Sequence, residues 1–224
     1  MAHHEAMSLV RILVCFLLEF LPMGAMYLNS RIIFNIARKA TSDSNAVVAT
    51  VFSVVFLETV INELAEIASD IDLRGEKEPQ RIQAFAEILK HTEESRGSLE
   101  LKYQLAGWIL GGHVFDKGAN PYQDFLHLVA VRNALVHMKL LDKIPVSSDG
   151  KLGFVEIPGV VQRLPKKVLQ NVPPGVNTTW LDRIGTAAMA QWACDAASAM
   201  VQTTVQFAPG GNFKNLIEGI YDLR

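Results

Sequence analysis

The stretch AVVATVFSVVFLETVINELAEIAS, residues 46–69, decides the fold class of this chain. It is apolar on nearly every side of a helical wheel, and a helix of that kind belongs in the middle of a bundle. Its polar exceptions are Glu58, Asn62 and Glu66, which recur every four residues and form one stripe along the helix. The stretch therefore predicts an all-α helical bundle with this helix at its centre.

Helical patterns extend on both sides of the central helix. Before it, apolar residues recur at helical spacing over residues 26–40. After it comes a charged, helix-prone connector over residues 70–97, and a further helix is predicted for residues 98–110. Gly111 and Gly112 end that helix, and residues 116–121 are predicted to form a loop.

The second half of the chain predicts a helix, an insertion and a last long helix. The first of these helices is expected over residues 122–141. Residues 142–177 hold most of the prolines and predict an insertion, either a loop or a β-hairpin. An Ala-rich helix is then expected over residues 180–207, capped by Asn177 or Thr178.

Composition and length bound the class of protein. The chain has 224 residues, 50% hydrophobic and 20% charged, so residues 26–224 can bury one core and form a single domain. The formal net charge of −2 means that any nucleic-acid surface must be a local patch rather than a global field. The two cysteines, Cys15 and Cys194, build no disulfide framework, which predicts a protein of the reducing cytoplasm.

Residues 1–25 form an apolar N-terminal extension that has two interpretations. The apolar run over residues 9–23 is shorter than the roughly 20 residues that a membrane-spanning helix needs, and it contains Arg11 and Glu19. We therefore expect no stable membrane span, and we favour a helix that is buried or bound to a partner. A secretory signal, or a leader that precedes the true translation start, is the alternative.

Arg132 interrupts the apolar side of the helix predicted for residues 122–141. At about 100° per residue, the helical wheel places Arg132 within an arc formed by Phe125, Leu128, Val129, Leu135, Val136 and Leu140. A guanidinium cannot lose its charge, so on a buried face it requires an anionic partner. Asn133 and His137 lie together at the edge of the same arc. Either Arg132 pairs with Glu58 in a purely structural bridge, or the two helices present a polar pocket.

Four segments resemble, in the same order, segments of the HEPN superfamily. FSVVFLETVINELAEIA, residues 52–68, is similar to its central helix, with an acidic residue and Asn four positions apart. LVAVRNALVHMK, residues 128–139, resembles its motif helix, in which Arg is followed by a polar residue, three further residues and His. RGSLELKY (residues 96–103) and FDKGANPYQDF (residues 115–125) also resemble HEPN-like bacterial proteins. The likeness covers about residues 26–141 and extends to the last long helix.

The HEPN resemblance implies a metal-independent endoribonuclease that works as a homodimer and needs no cofactor. On this chain, His137 would handle the proton at the 2′-hydroxyl or at the leaving oxygen, a role that suits an imidazole. Arg132 would hold the scissile phosphate and stabilise developing charge. Asn133 would orient His137 or the phosphate, while Glu58 would position Arg132 with Asn62 as a supporting neighbour.

The same resemblance implies a toxin or a defence effector that leaves a 2′,3′-cyclic phosphate on RNA and does not act on DNA, which lacks the attacking hydroxyl. The partners implied are RNA, a second copy of the chain, and an antitoxin or regulatory protein. In HEPN toxins controlled by a nucleotidyltransferase antitoxin, a tyrosine stands two residues after the histidine. That position is Lys139 here, so we expect no control by tyrosine modification there, and Lys139 and Lys143 are predicted RNA contacts.

Two other functions stay open on the sequence. One is a HEPN-fold module that binds RNA, a nucleotide or a partner protein without catalysis, and the other is a structural or regulatory dimer unrelated to RNA. The intact Arg132 and His137 favour the nuclease, whereas the acidic net charge favours the alternatives. His91, His113 and His127 have no spacing to cysteines or carboxylates that predicts a metal site.

Overall fold

The computed structural model describes residues 28–73, 80–137, 159–171 and 179–222, and these residues are helical with no β-strand among them. The first half consists of α1 (Leu28–Ser42), α2 (Ala46–Leu73), α3 (Gln80–Glu94), α4 (Leu99–Gly111) and α5 (Tyr122–Val136). The second half consists of α6 (Gly159–Gln162), a 3-10 turn (Lys166–Val168), α7 (Trp180–Ile184), α8 (Ala187–Phe207) and α9 (Asn212–Ile220). The predicted all-α class is confirmed.

Helix α2 is the central element of the bundle. It packs against α1, α3, α4, α5, α8 and α9. Most of its large apolar side chains are fully buried, among them Phe56, Leu57, Ile61, Leu64 and Ile67. Burying one such side chain contributes about 1.5–3 kcal/mol, so this helix supplies a large share of the core. The central position predicted from its all-round apolar character is confirmed.

Within the described residues, α2 is also the one helix long and apolar enough to cross a membrane by length and composition alone. Of the apolar window in this helix, 56% is buried inside the molecule. A core helix of a bundle has the same length and hydropathy, so this property alone does not assign α2 to a membrane.

The ends of α4 lie where the sequence predicts them. The hydroxyl of Ser98 accepts a hydrogen bond of 3.2 Å from the backbone N–H of Leu101 and so caps the first turn. At the other end, Gly112 has a φ of +75°, the left-handed conformation that glycine adopts most readily, and its N–H donates to the carbonyl of Trp108. The predicted stop at the glycine pair is confirmed.

The last long helix is two helices, so the prediction of one continuous helix is wrong. Thr179 caps α7 in a reciprocal arrangement with Asp182, and the hydrogen bonds from Thr179 lower the pKa of the Asp182 carboxyl. Thr186 caps α8, because its hydroxyl accepts from the N–H of Met189 at 2.9 Å, and it also donates to the carbonyl of Val168 at 2.6 Å. Because Thr186 is the extended N-cap residue of α8, one helix cannot run through Gly185 into α8.

Other boundaries also differ from the sequence expectations. The charged connector contains α3, which buries Ile82, Phe85, Ala86 and Leu89 against the bundle. Helix α5 ends at Val136 rather than at residue 141, with His137 as its C-cap. The described part of the insertion, residues 159–171, is a helical turn followed by a 3-10 turn, and its predicted hairpin lies outside the described residues, as does the extension over residues 1–25.

Candidate functional site

Helix α4 and the loop after it position the start of the motif helix α5. The side-chain amide of Gln104 donates to the carbonyl of Phe115 at 3.2 Å and accepts from its N–H at 3.1 Å. A Cβ on Gly107 would lie 2.9 Å from the Phe115 ring, so a glycine is needed for this close approach. The Phe115 ring stacks on Tyr122, the first residue of α5, with ring centroids 5.1 Å apart.

The first half of α5 is anchored and its second half carries the motif. The buried residues of this helix are Tyr122, Phe125, Leu128, Val129 and Val131. They pack it against α2 and α8. Beyond Val131 every side chain of the helix is half-buried or exposed. The motif residues therefore lie at the less buried end of a firmly packed helix.

Arg132 is half-buried, and its Nε atom is buried without a hydrogen-bond partner among the described residues. Asn133 and His137 are exposed, one helical turn apart, and the N–H of His137 donates to the carbonyl of Asn133 at 3.0 Å. A buried guanidinium N–H without a partner costs free energy, and because Arg132 Nε is closed to solvent, an anion would have to bind the terminal nitrogens instead. This end of α5 thus presents a cation, an amide and an imidazole together.

Glu58 does not reach Arg132, so the salt bridge expected between them is not formed. No guanidinium nitrogen of Arg132 lies within 4.0 Å of a carboxylate oxygen of Glu58, and both residues are described. Glu58 is exposed and lines a groove of about 310 Å³ with Asn29 of α1 and with Glu66. The physical reason is that the polar stripe of α2 faces solvent beside α1 and α3, where an unpaired carboxylate stays hydrated.

Asn62 belongs to a second polar cluster on the same stripe. It lines a groove of about 390 Å³ between α2 and α3, together with Glu66 and Glu93. Lys102 of α4, only 3% exposed, donates to the Asn62 side-chain carbonyl at 3.2 Å and pairs with the Glu93 carboxylate. Asn62 is thus engaged by a buried lysine, and a supporting role beside Glu58 stays a prediction.

Glu63 is a buried carboxylate that the sequence analysis missed. It accepts hydrogen bonds from the backbone N–H of Ser30 at 3.2 Å and from the hydroxyl of Tyr221 at 2.8 Å. Burial, and then the negative charge of Glu63, raise the pKa of Tyr221 well above its usual value. The sequence contains a signal for this burial, because Glu63 is three residues from Val60 and four from Ile67 and so lies on the core side of α2.

The remaining candidates of the sequence analysis are two lysines and three histidines. Lys139 and Lys143 lie outside the described residues. Within the part of the chain that the structure describes, no three or more His, Cys, Asp or Glu side chains gather as metal ligands. His113 is exposed, bonds the carbonyl of Gly111 at 3.0 Å and packs on Phe207 with ring centroids 4.3 Å apart, which is a local structural role.

Comparisons with known proteins found no relative of this chain. The chain matches no protein-family model, no curated protein and no solved structure. The likeness to HEPN domains therefore rests on the residues of the chain itself, above all on Arg132 and His137 at the end of α5.

Proposed function

We propose that this protein is a HEPN-like, metal-independent endoribonuclease whose reaction takes place at the end of α5. The observation that carries the proposal is the half-buried Arg132, which forms no ion pair among the described residues, beside the exposed Asn133 and His137. A phosphodiester would bind the terminal guanidinium nitrogens of Arg132, which unlike Nε are not among the buried atoms, and the imidazole five residues further along the helix would reach the same ligand.

The chemistry involves two proton transfers, for which the proposed pair of protomers would supply two His137 side chains. The 2′-hydroxyl of RNA attacks the adjacent phosphorus, its proton passes to a base, and the bond to the 5′-oxygen breaks as that oxygen takes up a proton. His137 serves at one of these two proton transfers, and Arg132 binds the non-bridging oxygens on which charge develops. The products are a 2′,3′-cyclic phosphate and a free 5′-hydroxyl, with no metal-bound water involved.

The working unit in this proposal is a homodimer in the cytoplasm, acting as a toxin or a defence effector. The polar end of one α5 is too small to enclose an RNA strand, so the His137 side chains of two protomers would face one groove. Lys139 and Lys143 follow the motif in sequence and would contact the RNA backbone. An antitoxin or regulatory protein would restrain the activity by a route other than modification of residue 139.

One observation favours a second candidate, a HEPN-fold module that binds RNA, a nucleotide or a partner protein without cleaving it. Glu58, which would position Arg132 in the nuclease, is turned toward the groove beside α1 instead. An Arg132 that lacks its carboxylate could bind a phosphate without being held in the geometry that catalysis requires.

The decisive experiment measures cleavage of a labelled single-stranded RNA by the wild type and by two matched histidine variants. His137→Ala should lower the cleavage rate by roughly 100-fold or more, the usual contribution of general acid–base catalysis. His113→Ala, which removes another exposed imidazole, should leave the rate unchanged. The wild type should keep its activity in EDTA and should not cleave the corresponding DNA.

The outcomes separate the two candidates. Equal cleavage by the wild type and by a well-folded His137→Ala variant would contradict the role of His137. RNA that binds to the wild type without being cut, with affinity lost in Arg132→Ala, would establish the binding module in place of the nuclease.

A further inference from the structure

The segment that leads from α6 toward α7 carries exposed positive charge. Residues 159–171 contain no acidic residue. Three basic side chains of this segment are exposed: Arg163, Lys166 and Lys167. Arg183 of α7 is half-buried and lies beside them, because its carbonyl accepts a hydrogen bond of 2.7 Å from the N–H of Gln170. None of the four side chains forms an ion pair among the described residues. We call these four residues the basic surface.

The acidic side chains on the neighbouring helices do not neutralise the basic surface. On α7 the carboxylate of Asp182 is engaged by the N–H and the hydroxyl of Thr179, both at 2.8 Å. Asp124 is in the first turn of α5, at the opposite end from the motif. Asp195 lies more than two turns past the start of α8. Four cations therefore stand against one nearby carboxylate.

The end of α1 reaches the same region and leaves the balance of charge positive. The hydroxyl of Thr41 donates to the carbonyl of Ala190, in the first turn of α8, at 3.4 Å. Asp43 is exposed just after α1, but so are Arg38 and Lys39 in its last two turns. In a chain whose formal net charge is −2, this region therefore holds a local excess of cations.

The packing of α5 on α8 directs the motif toward this region. The Phe115 ring lies 5.0 Å from the ring of Phe207, the last residue of α8, and it stacks on Tyr122, the first residue of α5. The start of α5 is thus beside the end of α8. Because the two helices also pack on each other, α5 runs back along α8, and its motif end points toward the start of α8.

Residues 159–171 pack against both of these helices. Helix α6 contacts α5, and the 3-10 turn contacts α8. The hydroxyl of Thr186, at the start of α8, donates to the carbonyl of Val168 at 2.6 Å. Val161 and Val168 are buried, so the apolar side chains hold the segment on the bundle while its basic side chains stay in solvent. The basic surface therefore continues from α5 over the start of α8.

The chemistry of the basic surface favours a polyanionic strand over a lipid bilayer. A helix that binds at a bilayer surface needs apolar side chains that enter the acyl region. Every large apolar side chain that the described chain exposes lies outside residues 159–171 and 179–184. A nucleic-acid backbone requires only cations that meet successive phosphates, and the basic surface has four.

We propose that the basic surface binds the sugar–phosphate backbone of the single-stranded RNA whose scissile phosphate lies at Arg132. The identity of this ligand rests on the proposed function. Residues 159–171 lie outside the part of the chain that resembles HEPN domains, so the likeness does not supply this surface. Its contacts are made to phosphates, and they position the strand without reading its bases.

The first test is the salt dependence of RNA binding by the full chain. The probe is a labelled single-stranded 2′-O-methyl oligoribonucleotide, which cannot be cut because its attacking hydroxyl is blocked. Lys166→Ala/Lys167→Ala removes two cations, and at about 0.7 per cation on single strands the slope of log Kd against log salt should fall by about 1.4. At about 0.1 M salt the Kd should rise by roughly 10-fold or more.

Two control variants separate local contacts from net charge and from misfolding. Arg81→Ala/Lys90→Ala makes the same change in net charge at two exposed positions of α3, which packs against α2 and α4, and it should leave the slope unchanged. Lys166→Arg/Lys167→Arg keeps both charges and should keep the slope. Equal reductions in the two alanine variants would mean that net charge alone sets the affinity, and would overturn the assignment of the surface.

The second test uses the wild type and does not depend on how a variant folds. Lysine amines are acetylated with and without saturating probe, and the modified positions are read by mass spectrometry. The probe should protect Lys166 and Lys167 but not Lys90, which is also exposed. Equal reactivity with and without probe would refute the surface. A wild type that binds no probe, but binds vesicles containing phosphatidylglycerol through these lysines, would assign them to lipid instead.

The basic surface and the nuclease can fail separately in these experiments. Unmodified RNA that is cut by the wild type, together with a slope that Lys166→Ala/Lys167→Ala does not change, would refute the surface and leave the nuclease. Probe bound through Lys166 and Lys167, with no cleavage of the unmodified RNA, would refute the nuclease and leave the surface.

Discussion

Two polar clusters in this bundle differ in how fully their groups are partnered. Around Glu63, a buried carboxylate accepts hydrogen bonds from Ser30 and Tyr221. At the end of α5, the buried Nε of Arg132 has no acceptor in the described chain, and His137 is exposed. The first cluster joins α1, α2 and the segment after α9, whereas the second joins no elements by side-chain hydrogen bonds among the described residues.

The difference indicates what each cluster is for. Polar groups that are hydrogen-bonded inside a fold contribute to stability, as the Glu63 carboxylate does, although the Ser30 hydroxyl beside it has no partner among the described residues. Exposed polar groups at the end of a well-packed helix, such as Asn133 and His137, contribute little to stability and are free to bind. We therefore expect substitutions at Glu63 to alter unfolding, and substitutions at His137 to alter binding or catalysis.

The largest effect is expected for Glu63→Ala, which should lower the free energy of unfolding by about 3 kcal/mol. The variant leaves the Ser30 N–H and the Tyr221 hydroxyl without an acceptor in a buried site. Urea unfolding followed by circular dichroism measures the change.

Glu58→Ala is the matched control, because Glu58 stands on the same helix but is exposed. Glu58→Ala should leave the urea midpoint of unfolding unchanged. Equal losses in the two variants would mean that burial of the carboxylate does not distinguish the two positions, and the comparison between the clusters would lose its basis.

A second prediction concerns alkaline pH. Burial raises the pKa of Tyr221 in the folded state, while in the unfolded chain it stays near about 10. The stabilisation from the protonated hydroxyl is therefore complete below about pH 10 and is lost as the pH rises above it, by up to about 1.4 kcal/mol per pH unit.

Tyr221→Phe removes this contribution but keeps the ring. The unfolding free energy of the variant should fall less steeply above about pH 10 than that of the wild type. Tyr122, whose pKa burial also raises, is present in both proteins and cancels in the difference, whereas Tyr103 interacts with Tyr221 and cancels only in part. Parallel curves for the two proteins would show that the Tyr221 hydroxyl does not titrate with folding.

The smallest effect on stability is expected at the end of α5. Arg132→Ala should cost about 1 kcal/mol or less, because the loss is packing of the half-buried stem rather than a salt bridge. His137→Ala should not change the melting temperature measurably. A loss of several kcal/mol in Arg132→Ala would reveal an anionic partner in the protein and would favour a structural role for the arginine.

The fold could be predicted where one helix determines its own environment. The stretch over residues 46–69 is apolar all round, and only the centre of a bundle buries all sides of a helix. The break between α7 and α8 could not be predicted in the same way. It depends on the Thr186 hydroxyl reaching the carbonyl of Val168, a contact between segments whose proximity the local sequence does not encode.

The candidate site was predictable within one helix and not between helices. Helical periodicity placed Arg132 within an apolar arc that included Val136, with Asn133 and His137 at its edge. In the structure Asn133 and His137 are exposed and Arg132 is half-buried, but Val136 is 56% exposed, so the arc does not continue to the end of the helix. The partner of Arg132 could not be predicted, because the helical wheel of α2 identifies a polar stripe but not the helix that this stripe faces. The same wheel places Glu63 on the core side of α2. Its hydrogen-bond partners, Ser30 and Tyr221, belong to other segments, so the wheel could not show how the buried carboxylate is satisfied.

The contacts around α1 also bear on how the chain folds as it is synthesised. Arg31 donates through Nε to the carbonyl of Ile220 at 3.1 Å, a hydrogen bond between residues 189 positions apart. Tyr221 reaches Glu63 across 158 positions. Contacts of such separation form late, since the intervening chain must first be ordered. During translation, the carboxylate of Glu63 therefore has no hydrogen bond from Tyr221 until the chain has been made at least as far as residue 221, and this part of the bundle closes only then.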